Sequence, residues 1–369
     1  MRQRNAGIFE AGMSLVELMV AVAIGMIGIL IITQAYITGD NFNRSTLGEG
    51  GAQTNGLIAL YAIERDARMS GYGFNNSGAL GCGNIFWYFD PDYSANIGGG
   101  TLPNISLSPV LITVDADTPA NPDQISVMYS RESERMLPTT ISSFKAPSSE
   151  VSVDGTDGFS VGDLVLMVNA GGCTLGKITQ VQGVAQKLQL NPGVSAPYNP
   201  AAWGDFPTTY DSGDSILNLG NPVLRTYLIG NGKLRVSEAL LSTGSATPTD
   251  LVDGIVDMRA LYGKDTDADN IVDRYDTTTP TSSALWMQVQ SVRIALLARI
   301  GTHEKRSVGA TDCDATTAVP AWSGSTAAGP VAVANPFQAI SVAANSVDRC
   351  YRYRVFETTV PLRNMIWRS

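Results

Sequence analysis

Residues Met13 to Ile32 read MSLVELMVAVAIGMIGILII, an apolar run interrupted by a single charge, Glu17. About 20 such residues cross the hydrocarbon core of a bilayer as a helix, so this segment sets the topology of everything that follows. Ahead of it, residues 1–12 (MRQRNAGIFEAG) carry Arg2 and Arg4 and no apolar core of their own. By the positive-inside bias they stay cytoplasmic, and the remainder of the chain faces the periplasm.

A secretory signal is cut after its apolar stretch, at a small-residue site. Here Ile31 to Tyr36 continue the helical pattern with no such exit, and the small residue, Gly12, stands before the run. A cut at Gly12 would leave the whole hydrophobic helix on the mature protein. Glu17 is the second anomaly, since an ionisable group inside a spanning helix costs at least ~2.5 kcal/mol. Cleavage after Gly12 would make Met13 the new N-terminus, with its positive amine four residues from Glu17, the spacing of facing residues on a helix. The pair can form within a subunit or between neighbours, and between neighbours in a low-dielectric bundle it would set axial register.

Beyond the membrane run the helical pattern continues toward Met69, with Leu57, Leu60, Tyr61 and Ile63 on one stripe. Gly48, Gly50 and Gly51 are expected to weaken it midway, and Gly71 and Gly73 to stop it. Gly25 and Gly28 would permit bending or close helix approach within the membrane. After Gly71 short apolar runs alternate with Gly, Pro, Asn and Asp, the texture of strands and turns. Strands are expected at 110–114, 124–129, 163–168, 177–181, 224–229, 234–237, 289–300 and 352–360, with Gly230, Asn231 and Gly232 closing a hairpin. The fold class is therefore α+β, a long N-terminal helical spine, transmembrane in its first half, packed on a β-rich head. The division is 1–12 leader, 13–70 membrane and spine helix, and 71–369 periplasmic head. With 44% hydrophobic residues the head can bury a sizeable core, and a net charge of −9 argues against a broad nucleic-acid surface.

Cys82, Cys173, Cys313 and Cys350 form no CxxC pair, and none is close in sequence to the single histidine, His303. An even count in an exported chain favours disulfides over zinc. Of the three possible pairings, Cys82 with Cys173 and Cys313 with Cys350 is preferred. The Ala-, Gly-, Ser- and Thr-rich stretch 315–335 reads as an exposed loop between the last two cysteines.

The segment DTDADNIVDRYD places Asp265, Asp267, Asp269, Asp273 and Asp276 at positions 1, 3, 5, 9 and 12 of a calcium-loop spacing, with the Ile271 carbonyl at position 7. Asn270 replaces the usual glycine at position 6 and Asp276 the usual glutamate at position 12, and no flanking EF-hand helices are evident. Ca2+ is the one cofactor this pattern supports, against the alternative of a solvated acidic turn.

No nucleophile with a base, open metal centre or phosphate cradle is evident, so the chain reads as a non-enzyme. His303 has no second ligand at metal spacing. The glycines at 98–100 and 171–172 lack the P-loop lysine. Asp115 and Asp117 cannot be singled out as an acid–base pair, and Trp87, Tyr88 and Phe89 read as core packing.

Gly12, Met13, Ser14, Leu15, Val16 and Glu17, followed by LMVAVAIG, resemble the type IV prepilin processing motif of pilins and type II secretion pseudopilins. The resemblance implies cleavage by prepilin peptidase after Gly12, N-methylation of Met13, and Glu17 as the assembly residue. ERDARMSGY, Glu64 to Tyr72, resembles the helix-end segment of PilW-type minor pilins, and FETTVPLRN, Phe356 to Asn364, is similar to their final strand. These resemblances imply a minor pilin in a tip complex that primes type IV pilus assembly, at the inner membrane before assembly and on the pilus after it. The implied partners are other minor and major pilins, prepilin peptidase, the inner-membrane platform and a PilY-family tip adhesin. A type II secretion pseudopilin and a membrane-anchored calcium-dependent binding module are the alternatives.

Overall fold

The structure, a computed structural model, describes residues 14–74, 80–82, 85–87, 100–101, 107–114, 121–131, 134–135, 137–193, 198–200, 203, 209–238, 247–301, 303–304, 313–325, 335–344 and 346–366. Its first element is one helix, α1 (Leu15–Met69). Ser14 caps it, its Oγ accepting the Glu17 N–H at 3.2 Å and its carbonyl the Leu18 N–H at 3.1 Å. Gly48, Gly50 and Gly51 do not interrupt it; a glycine within a helix costs only about 1 kcal/mol relative to alanine. The helix stops at Gly71 and Gly73, which take φ of 76° and 92°.

The chain divides into two units within α1, one ending at Gly51 and one beginning at Ala52. In the first, Leu15 to Asp40 form the one helical span among the described residues that is long and apolar enough to cross a membrane. Thr33 and Thr38 return their hydroxyls to the carbonyls of Ile29 and Gln34, so neither is left unbonded.

In the second unit α1 is followed by strands β1 (Ile85–Trp87), β2 (Gly100–Thr101), β3 (Val110–Thr113), β4 (Gln124–Ser130), β5 (Thr139–Lys145), β6 (Glu150–Val153), β7 (Leu164–Asn169), β8 (Gly172–Lys177), β9 (Gln180–Gln182), β10 (Lys187–Gln189), β11 (Ser215–Gly220), β12 (Pro222–Gly230), β13 (Lys233–Glu238), β14 (Thr249–Asp253), β15 (Ile255–Lys264) and β16 (Arg274–Asp276). The short helix α2 (Ser283–Trp286), β17 (Val289–Arg299), β18 (Tyr353–Pro361) and α3 (Arg363–Ile366) complete it. The described strands form three sheets, ordered β2-β1-β8-β7-β11-β5-β6-β10-β9, β14-β13-β12-β4-β3 and β16-β15-β17-β18. This is an α+β architecture. The β12–β13 hairpin turns through Asn231 and Gly232, both left-handed at φ 55° and 69°, as a two-residue turn of that hand requires. The strand expected at 177–181 is instead a break between β8 and β9, where Asn199 takes up the main-chain N–H and C=O of Lys177.

Strand alternation sorts side chains into separate cores. Val292, Ile294, Leu296 and Ala298 of β17 face the main core, while Ala295 and Leu297 face a smaller one with Leu261, Trp322, Phe337 and Ile340. Likewise Leu164 and Leu166 of β7 and Leu217 and Leu219 of β11 line the main core, whereas Val165, Met167 and Ile216 line a second core with Ile141 and Trp203. Trp322, within the stretch expected to be an exposed loop, is buried and donates its Nε1–H to the Asn335 carbonyl at 2.7 Å.

From Ala52 onward, α1 buries Ala52, Gly56, Ala59, Leu60, Ile63, Asp66 and Ala67. Leu57 and Tyr61, placed on the buried stripe by periodicity, are exposed at 52% and 65%. Small residues occupy the contact face because the helix lies close against β18: a Cβ on Gly56 would overlap the Phe356 ring. Gly56→Ala should therefore destabilise the head by about 1–3 kcal/mol, as overpacking does, despite alanine's better helix propensity. Thermal unfolding of Gly56→Ala beside Gly25→Ala checks this, since nothing lies within 4 Å of a Cβ on Gly25. Equal melting temperatures for the two would contradict the close approach.

Candidate functional site

Three places carry chemistry: the start of α1, its end against β12, and the hairpin loop between β15 and β16. Gly12 and Met13 lie outside the described residues. Glu17 stands in the first turn of α1, exposed, three residues after its cap. Ser14-x-x-Glu17 also has the spacing of a capping box, a local use of Glu17 that periodicity alone does not separate from an assembly use. The apolar residues beside it are exposed as well, Leu15 by 76% and Met19 by 63%.

At the other end of α1, Asp66 is buried and accepts from the Tyr227 hydroxyl at 2.7 Å and from Arg225 Nη1 at 3.0 Å. Arg225 also pairs with Glu238, and Arg65 with Asp66. Burial, reinforced by the Asp66 carboxylate, pushes the Tyr227 phenol well above its ordinary range and keeps it a donor. Arg68 pairs with Glu64 one turn back. The Asn364 amide reaches the carbonyls of Met69 and Ser70 at 3.1 and 3.0 Å, tying the C-terminal segment to the helix end. The two stretches singled out at opposite ends of the sequence thus meet in one place.

The acidic loop is gathered in part. Asp265, Asp267 and Asp269 each offer a carboxylate oxygen, all within 4.8 Å of one another. Asp265 accepts from the N–H groups of Ala268 and Asn270 at 2.7 and 2.9 Å and pairs with buried Gln290. Asn270 takes φ 67°, the conformation glycine supplies at this position of a calcium loop. The Asp269 N–H draws the Asp267 carboxyl down, but lost hydration and the charges of Asp269, Asp273 and Asp265 outweigh it and leave the group raised. Asp273 turns to the Thr266 N–H and hydroxyl, which hold it low. Asp276 is not in the cluster. It lies in β16 opposite Tyr262 and bonds Lys264 Nζ at 2.6 Å, because a strand rather than an incoming helix follows the loop. Ile271 is exposed and donates its N–H to Asp269.

The disulfides join Cys82 to Cys173 and Cys313 to Cys350, with Cα separations of 6.5 and 4.9 Å. The first links the segment after α1 to β8, and the second spans the covering loop beside β18. Of the other residues weighed above, Asp115, Asp117, Tyr88 and Phe89 lie outside the described residues. Gly171 and Gly172 give their N–H groups to the Asn169 side chain in a turn.

One site was not signalled by any motif. Arg259 and Asp257 on β15 and Asp123 ahead of β4 form a fully buried charge cluster, Arg259 reaching Asp257 at 3.1 Å and Asp123 at 3.3 Å. Main-chain N–H groups of Met258, Ala260, Gln338 and Ala339 complete the carboxylates, as does the Asn335 amide. An alternating apolar and charged strand ordinarily presents its charges to water; here the 335–340 segment covers them.

Residues 225–364, from Arg225 of β12 into α3, match the family model described as type IV pilus-assembly protein W, PilW. This C-terminal part of the chain is PilW-like. The match covers the strands that hold Arg225 and Tyr227, the acidic loop, the buried Arg259 and the Phe356–Asn364 segment. A solved structure, the type IV-like pilin TTHA1219 from Thermus thermophilus, is similar at 9% identity over 85% of this chain and 97% of that one, with a TM-score of 0.34, too low to carry an argument. No curated protein matches the chain. A PilW-like region together with the apolar span Leu15–Asp40 fits a membrane-anchored pilus component.

Proposed function

We propose that this protein is a minor pilin: prepilin peptidase cuts it after Gly12, Met13 is N-methylated, and the mature chain is drawn from the inner membrane into a tip complex that initiates a type IV pilus. The supporting observation is the continuity of α1. One helix carries the apolar span with Glu17 in its first turn and, 49 residues on, the Asp66 anchor that Arg225 and Tyr227 of the PilW-matching region hold. The apolar surface of Leu57, Ile58 and Tyr61, each more than half exposed, is what a helix has when neighbours are to cover it. The expected partners are other minor and major pilins, the assembly platform and a PilY-family tip adhesin. No enzymatic role is proposed.

Intact mass and N-terminal peptide analysis of the membrane-extracted protein tests this. A mature start at methylated Met13 is the expected result. An intact Met1 in cells with working prepilin peptidase would replace the reading with a plain membrane-anchored module. The same processing would occur in a type II secretion pseudopilin, so recovery of the chain in sheared surface fibres separates those two.

We also propose weak Ca2+ binding at the β15–β16 loop, on the convergence of Asp265, Asp267 and Asp269. One oxygen from each of three carboxylates supplies three of the six to eight oxygens calcium takes, and water would supply others. Millimolar Ca2+ should stabilise the head by about 1–3 kcal/mol, the linkage expected at some tens of Kd. Asp267→Asn should abolish most of that gain without lowering the metal-free melting temperature, since it relieves the repulsion from the neighbouring carboxylates. A melting temperature indifferent to calcium would end this reading.

A further inference from the structure

His303 is far in sequence from any metal-spaced partner, yet the fold sets its imidazole beside the Cys313–Cys350 disulfide, with a ring nitrogen and both sulfurs within 4.8 Å of one another. We propose that this is a redox-gated site for a soft divalent cation such as Zn2+. It is closed while the disulfide is intact and becomes a Cys2His site when a dithiol reduces it.

The donor set is the first argument. Two thiolates and a neutral imidazole are the ligands that select zinc-like ions, and three protein ligands leave a fourth position for water. The second is that the ligands stay together without the disulfide. The Glu304 N–H donates to the Cys350 carbonyl at 2.8 Å and the Ile300 N–H to the Arg352 carbonyl at 2.9 Å, fixing the His303 segment against Cys350. On the other side, the Thr316 N–H and hydroxyl donate to the carbonyls of Arg349 and Tyr351 at 3.1 and 2.7 Å. Arg349 Nε donates to the Cys313 carbonyl at 3.1 Å, and its Nη2 to Asp314 at 2.9 Å. The His303 ring stands edge-on to Tyr351 at 5.2 Å. These contacts survive reduction, so the two sulfurs have only to separate to about 3.8 Å, the distance two 2.3 Å bonds at a tetrahedral ion impose. The Cα separation of 4.9 Å leaves that to side-chain rotation.

A dithiol thiolate attacks one sulfur to give a mixed disulfide, its second thiol resolves it, and the products are the oxidised dithiol and two cysteine thiols. The cation then displaces both thiol protons and takes the imidazole lone pair. His303, exposed at the mouth, is the ligand through which the ion enters, since both sulfurs are buried.

The test uses the full chain in detergent, with Co2+ as a spectroscopic probe and Zn2+ as competitor. After reduction by a phosphine and its removal without air, one Co2+ per chain should bind with thiolate charge-transfer and tetrahedral bands, and Zn2+ should bleach them. The oxidised protein should show neither. His303→Ala, a change at an exposed position, should weaken binding by at least the ~10–100-fold that loss of even an outer partner costs. Cys313→Ser/Cys350→Ser should abolish the bands. Absence of the bands in reduced protein, full-strength bands in His303→Ala, or bands that persist in the double serine variant and so come from Cys82 and Cys173, would each overturn the proposal.

Discussion

Replacing Arg259 by methionine should destabilise the head by about 3–5 kcal/mol at neutral pH, the loss that follows when a buried charge is left without its partner, and this loss should shrink as the pH is lowered. Arg259 has two carboxylates to balance, both with no exposed surface. Burial raises Asp123 above its ordinary value, and the Ala260 N–H and Arg259 offset that only in part. Asp257 is raised for the same reason, against Arg259 and the Ala339 N–H. Between the ordinary carboxylate value and the raised one the folded state keeps protons that the unfolded state has released. These two groups therefore leave stability highest at acid pH and erode it as pH rises through their folded values. Without Arg259 those values move further up and the erosion deepens. Chemical denaturation at pH 7 and pH 5 reads both effects. A second variant, Arg259→Met with Asp123→Asn, should recover part of the loss, because the asparagine oxygen still accepts the Ala260 N–H while one of the two charges is gone. A loss in Arg259→Met that is small, or equal at the two pH values, would mean that water reaches the cluster.

The second large effect is expected from Glu17→Gln. The variant should be processed and membrane-bound yet nearly absent from sheared fibres. A processed N-terminal amine left unpaired in an apolar bundle costs on the order of 3–5 kcal/mol, or more than about a hundredfold in incorporation. Glutamine separates the two uses of this position. It completes a capping box as glutamate does, so if Glu17 serves only to start α1 beside Ser14, Glu17→Gln should assemble normally. Normal incorporation would dismiss the assembly role and leave the cap.

The spine helix and most long strands were legible because their signals are local: an apolar run, a pair of glycines, Asn-Gly in a turn. The buried stripe of α1 was not, since the rule that large apolar residues face inward fails where backbones approach closely. Gly56 and Ala59 take the contact face while Leu57 and Tyr61 stand outside. β15 was missed altogether, although it pairs along both β16 and β17, because Asp257 and Arg259 break its apolar run and their partner Asp123 is over a hundred residues away. The acidic loop was legible as a spacing, but spacing could not show that a strand carries Asp276 off to Lys264. His303 looked isolated for the same reason: its neighbours are supplied by the return of the chain at Cys350.

The pairing of β4 with β12 starts where β4 ends and β12 begins, with Pro222 opposite Ser130 and the Arg131 N–H on the Asn221 carbonyl. The backbone that carries β5 to β11 leaves and re-enters through this doorway one strand pair wide, and β8 is tied back as well by its pairing with β1 and by the Cys82–Cys173 disulfide. Lengthening what hangs from such a doorway adds only a slowly growing closure entropy, and the ladder behind it, on which Arg225 and Tyr227 stand, keeps its register. Within this excursion Leu164 and Leu166 of β7, Cys173 and Leu175 of β8, Tyr198, and Leu217 and Leu219 of β11 answer to the main core. The outer lobe around Ile141 and Trp203 is then free to drift in sequence and size while the part that grips the helix is held still, so one scaffold can present very different faces to whatever it meets.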